Sequence, residues 1–182
     1  RDTDRSRGLG DVYKRQAIIT VLAVLTIIVT AMAPAAKMDA KAAADQTSTM
    51  NARLLADINN LRAEQGLPAL TLDSELNSYA AVRSEEINTV WSHTRPNGTS
   101  GADMISSTKW RGENLSYITY GSFGFSDSEQ NNAADSVFAS LKASPSHYSN
   151  MVSGNYTKIG IYTYVANTGS GVKLCTAYMF SN

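Results

Sequence analysis

The chain has 182 residues, with 16 Lys and Arg balanced by 16 Asp and Glu, two histidines and one cysteine. That length gives one domain with a full core once a leader is set aside. Zero net charge argues against a nucleic-acid binder held by phosphate neutralisation, and a single cysteine excludes an internal disulfide.

Residues 1–16 are polar, charged and unpatterned, which reads as a non-native or disordered leader outside the fold. Lys14 and Arg15 then precede an uncharged run, Ala17 to Val29, followed by Ala31-Met32-Ala33-Pro34-Ala35-Ala36. A basic flank, a short apolar run and an Ala-rich exit predict a signal peptide over 17–36. The rival reading is an uncleaved membrane anchor, although a spanning helix needs about 20 apolar residues. Either way the domain is expected to be secreted or envelope-associated, touching membrane only through this segment. Residues 37–49 read as a polar, Ala-rich linker, and residues 50–182 as the folded domain.

Met50, Leu54, Ile58 and Leu61 repeat at helical spacing behind a cap at Thr47 or Ser48, and Gly66 stops that helix. Leu67 to Leu70 is an extended connection. Asp73 caps a second helix, with Glu75 in its first turn and Leu76, Ala80, Arg83 or Ser84, and Ile87 on its inner side. A loop follows, Trp91-Ser92-His93-Thr94-Arg95-Pro96-Asn97-Gly98, and then a short helix within 99–108. Arg111-Gly112-Glu113-Asn114 is a turn leading into a strand from Leu115 to Tyr120. Ser126 and Glu129 form a capping box for the third long helix, which Ser144-Pro145 ends. Ile159–Val165 and Val172–Phe180 are strands joined by the hairpin loop Asn167 to Gly171. Cys175 falls mid-strand as a small buried hydrophobe. Helices followed by a small sheet define the α+β class.

Leu55 to Leu70, Ser92-His93-Thr94-Arg95-Pro96-Asn97-Gly98, Gly112-Glu113-Asn114-Leu115, Ser144-Pro145-Ser146-His147-Tyr148-Ser149-Asn150 and Tyr156 to Ile161 together resemble the bacterial, SCP-like branch of the CAP superfamily. That superfamily includes cysteine-rich secretory proteins, antigen 5 and pathogenesis-related proteins. The resemblance covers roughly residues 50–182. It implies a three-layer α-β-α sandwich with a small, mostly antiparallel central sheet and a cleft over that sheet. In the eukaryotic branch two His and two Glu line the cleft and can take a divalent metal. His93 matches the first His and Glu113 the first Glu. Ser144 and Asn155 stand where the other Glu and His would be.

Three readings of the cleft follow. His93 and Glu113 can act as a base and the carboxylate that orients it, or they can simply tie their loops to neighbouring backbone. His93 and His147, with Glu113, can offer a metal ligands, although no His-Glu-x-x-His helix exists and Ser144 and Asn155 are weak donors. No cofactor is firmly expected; weak uptake of a divalent ion such as zinc is. Arg95 and Arg111 read as braces on backbone carbonyls rather than anion sites. The tyrosines at 117, 120, 162, 164 and 178 read as sheet packing. The resulting expectation is an exported CAP module that binds an unidentified ligand, a lipid or cell-wall component, in a cleft of His93, Glu113, His147, Ser144 and Asn155, without catalysis. The alternative is a hydrolase using His93 and Glu113, with His147 and a metal or activated water.

Overall fold

Alternation along the two longest strands divides the core into two halves. In β3 (Lys158–Thr168), Ile159, Ile161 and Val165 point one way and Tyr162 and Tyr164 the other. In β4 (Gly171–Ser181), Leu174, Tyr178 and Phe180 oppose Cys175, Ala177 and Met179 in the same manner. Each face therefore needs its own cover. The computed structural model describes residues 46–105 and 109–182; the expected leader, the export or anchor segment and most of the linker lie outside them. The described residues fall within one compact unit, Asp39–Asn182, and among them no helix is long and apolar enough to cross a membrane.

One face is covered by α1 (Ser48–Glu64), α3 (Asp127–Ala143) and α4 (Pro145–Met151). The apolar stripe Met50, Leu54, Ile58 and Leu61 is wholly buried there. The other face is covered by α2 (Ser74–Thr89), through Leu76, Ala80 and Ile87. The sheet between them has the order β1-β3-β4-β2, where β1 is Thr71–Leu72 and β2 is Arg111–Tyr120. Only β1 against β3 is parallel; β3–β4 and β4–β2 are antiparallel. The fold is thus the expected three-layer sandwich with a mostly antiparallel sheet.

Local signals hold. Asp73 accepts hydrogen bonds from the Glu75 and Leu76 N–H groups, and Ser126 and Glu129 form both halves of the capping box. Thr47 stands at the α1 N-cap, yet its hydroxyl donates instead to the Thr163 carbonyl at 3.1 Å, tying the helix start to the sheet. The hairpin turn tightens to Gly169 and Ser170, since Thr168 already pairs with Gly171. The short helix is a 3-10 turn, Gly101–Met104.

Three points correct the sequence reading. Glu113 is not in a turn: β2 begins at Arg111, and Glu113 pairs with Met179. Gly112 permits this early start, because a Cβ there would lie 2.5 Å from the Tyr156 hydroxyl. Second, Ser144-Pro145 ends α3 but also opens α4, with Pro145 at its first position, where a missing N–H costs nothing. Third, Arg95 braces its loop through the Glu86 carboxylate, at 2.8 Å, not through a carbonyl. Arg111 does reach the Ile105 carbonyl, and also pairs with Asp103.

The strongest carbonyl brace is Arg62, fully buried near the end of α1. Its guanidinium donates to the carbonyls of Pro68, Met151, Ser153 and Tyr156, at 2.8–3.1 Å. It joins the exits of α1 and α4 to the entry of β3. Arg62→Leu should destabilise the domain by about 3 kcal/mol or more, because several buried acceptors lose their donor together. Chemical denaturation read by circular dichroism measures this; an unchanged midpoint would show the clamp to be dispensable.

Candidate functional site

The site is built from α2 and the edge strand β2. The α2 stripe brings Arg83 to the sheet face, where it is 1% exposed. Alternation along β2 turns Glu113 to the same face, so cation and carboxylate meet in the interior: Arg83 Nε to Glu113 Oε1 is 2.6 Å. Arg83 also pairs with Glu86 and donates to the Ser92 carbonyl at 2.8 Å. Glu86 in turn holds Arg95. A chain of alternating charges therefore runs from the sheet out to the histidine loop.

That loop closes on itself. Thr94 bridges Ser100, Arg95 N–H donates to the Thr99 carbonyl, and Gly101 N–H donates to the His93 carbonyl at 2.8 Å. Gly101 lies directly on the ion pair: a Cβ there would stand 2.0 Å from Glu113 Oε1 and 2.5 Å from Arg83 Nε. The second oxygen of Glu113 contacts His93, Oε2 to Nδ1 at 2.6 Å. The carboxylate side chain is 3% exposed and the imidazole 61%. With Nδ1 engaged, Nε2 is the nitrogen left for solvent or ligand.

His147 comes from the opposite layer, on α4. Its carbonyl accepts from Asn114 Nδ2 at 2.9 Å, and Asn150 donates to both Asn114 Oδ1 and the Glu113 carbonyl. A cavity of about 230 Å³ runs along β2 between the layers. Trp91, Leu115 and Tyr117 form one wall; Ser140, Ser144 and His147 form the other. Trp91 and Tyr117 meet edge to face at 4.9 Å, and each is 51% exposed.

Ser144 and His147 thus line the cavity, His93 bonds to Glu113, and His93 lies near enough to His147 for its charge to act there. Asn155 does not join them. Arg62 pins the carbonyls of Ser153 and Tyr156 on either side of it, and Asn155 stays exposed at that turn, its N–H on Ser153 Oγ. Arg83 is the residue that sequence reasoning placed on an inner helix face without assigning it to the site. Its signal was a charged residue within an apolar stripe, since a buried arginine needs a partner.

Among the described residues no group of three or more His, Cys, Asp or Glu is arranged to hold a metal ion. Both Glu113 oxygens are occupied, Ser144 Oγ faces Ser146 Oγ at 3.3 Å, and the imidazoles are the remaining donors. This donor set does not fit a closed zinc centre. Cys175 is fully buried, and burial pushes its thiol up to about 11.

The chain belongs to the CAP, or cysteine-rich secretory protein, family, whose model matches residues 55–179. No curated protein matches it. An extracellular protein containing an SCP domain from Bacillus anthracis shares the fold at a TM-score of 0.54 and 18% identity, over 73% of this chain and 40% of that one. The chain therefore spans about two fifths of the Bacillus protein. An outer surface protein of Borrelia burgdorferi is similar at a TM-score of 0.50 and 21% identity, over 71% of this chain and 90% of that one.

The two imidazoles titrate in opposite directions. The Glu113 hydrogen bond raises His93 above the ordinary 6.5, against the opposing effect of burial. Burial, and then the nearby His93 charge, lowers His147. The His93 contribution to stability is therefore full below 6.5 and is lost as pH rises through its raised folded value; His147 acts in the opposite sense as pH falls. With only two histidines, NMR titration should resolve one curve above and one below 6.5. Glu113→Gln should bring the upper curve down and destabilise the domain by about 3 kcal/mol, because Arg83 loses a buried counter-charge. Overlapping curves in the native protein would contradict the pairing.

Proposed function

We propose that this is an exported CAP module, acting outside the cell or at its envelope, that holds a ligand in the cleft beside β2 without catalysis. Export is supported by the basic, apolar, Ala-rich run at residues 14–36 and by similarity to an extracellular and an outer surface protein. The observation that carries the binding reading is the state of Glu113. Both its oxygens are committed, one to Arg83 and one to His93, so the carboxylate works as a fixed anchor. His93 then presents a nitrogen to a ligand, with a cation where Glu113 raises its affinity for a proton. The cavity along β2, which His147 lines, offers aromatic faces and serine hydroxyls, suited to a ligand with both apolar and polar parts. A lipid or a cell-wall component has that character.

One observation favours the hydrolase. An imidazole held at Nδ1 by a buried carboxylate is oriented as a general base orienting water would be. Neither imidazole has a Ser or Cys side chain bonded to it among the described residues, which leaves water as the nucleophile for such a reaction. Zinc separates the two readings. Calorimetric titration of the metal-stripped protein should show weak, reversible uptake, little changed in His93→Ala. Tight stoichiometric binding abolished by that substitution would promote the metal-dependent hydrolase.

A further inference from the structure

The outer edge of β2 opens into the cleft, and hydrogen-bond parity fixes what it offers. Thr71 and Asp73 N–H groups donate to the Thr157 and Ile159 carbonyls, so odd-numbered residues of β3 turn their backbone toward β1. The antiparallel registers then turn the even residues of β4 toward β2, and the odd residues of β2 outward. Two outward carbonyls are covered by side chains: Tyr156 Oη donates to Arg111 and Asn150 Nδ2 to Glu113. Beyond them, the outward backbone groups of Tyr117 and Thr119, both exposed residues, have no hydrogen-bond partner among the described residues, whereas Leu115 is buried.

The same stretch carries none of the usual guards of a sheet edge. Asn114-Leu115-Ser116-Tyr117-Ile118-Thr119-Tyr120 holds no Lys, no Pro and no charge, and its second half, Tyr117 to Tyr120, consists of β-branched and aromatic residues that favour strand pairing. The charges beside it are cationic. Lys173 lies 4.9 Å from the Tyr117 ring and donates to the Asn88 carbonyl rather than to a carboxylate. His93 stands at the other end, and Glu113 is already paired with Arg83.

We propose that the Tyr117–Thr119 edge is a strand-addition site for an acidic, extended peptide segment of a partner, which pairs with the open backbone groups while its carboxylates face Lys173 and His93. Main-chain pairing supplies the affinity in such an arrangement and flanking groups the selectivity. A second copy of this chain is a poorer occupant, because edge-to-edge pairing would set one cationic flank against another. This inference rests on the binding reading above and names the ligand class for that cleft.

The test uses the full chain and a capped heptapeptide of alternating Val and Glu. Its controls are the Lys counterpart and a version N-methylated at every second residue. Binding is followed by anisotropy and by amide shifts of Tyr117 and Thr119. The acidic peptide should bind; the N-methylated and Lys versions should each bind roughly tenfold or more weakly, the loss of one or more hydrogen bonds or charge contacts. Thr119→Pro, which removes an outward donor where an edge strand tolerates proline, should weaken binding similarly. Lys173→Glu should do so without touching the ladder. Equal binding of the methylated peptide would overturn strand addition while leaving the cleft reading intact. Concentration-dependent dimerisation with no peptide binding would overturn the proposed occupant, as would no binding of any kind. Cleavage of the bound peptide, seen by mass spectrometry, would overturn the non-catalytic reading and leave strand addition standing.

Discussion

The Arg83–Glu113 pair is the contact on which the rest of the site depends. Both side chains are withdrawn from water, at 1% and 3% exposed. Two buried charges are tolerated only with good geometry and further hydrogen bonds. Those further bonds are the architecture of the site: Arg83 reaches Glu86 and the Ser92 carbonyl, and Glu113 reaches His93. Meeting the needs of the pair fixes the exit of α2, the start of β2 and the orientation of the imidazole at once. It also dictates a residue that makes no polar side-chain contact, since any side chain at Gly101 would enter the pair.

Arg62 plays the corresponding part on the other side of the sheet, with carbonyls in place of carboxylates. Its fork fastens the ends of α1 and α4 to the approach of β3. A third buried polar contact links β3, β4 and α1 on that same face, where Thr163 and Thr176 share a hydroxyl contact at 2.9 Å and Thr163 donates to Asn51. Together these polar ties cross-link segments distant in sequence, the role a disulfide would fill in a domain with more than one cysteine. Gly160 adds a steric constraint. The backbone of Leu76 and Asn77 lies where its Cβ would be, which seats the start of α2 directly on β3.

Elements whose signal is local could be read from the chain. The Met50–Leu61 stripe, the Asp73 cap, the Ser126–Glu129 box and the β3–β4 hairpin each arise from residues within a few positions of one another. The three-layer arrangement and the approach of His93, Glu113 and His147 were legible through motifs resembling a known family. What escaped was set by distance. Glu113 looked like a turn residue because Gly112 and Asn114 flank it, yet its pairing partner Met179 lies at the far end of the chain. β1 is only two residues long and exists because Lys158 and Ile159 lie beside it. Arg83 showed as an inward-facing position, but periodicity reports burial and not the identity of a partner. Asn155 occupies a familiar motif position, and the Arg62 clamp around it holds its turn away from the cleft.

A double-mutant cycle between Arg83 and Glu113 tests the central claim most directly. Arg83→Met, Glu113→Gln and the combined variant would be unfolded in urea, and the coupling taken from the three differences. The account requires a coupling of about 2 kcal/mol or more, with the double variant more stable than the two single losses would give by addition. Additive losses, with coupling near zero, would show that the pair is a neighbouring of charges and not the contact that holds the site.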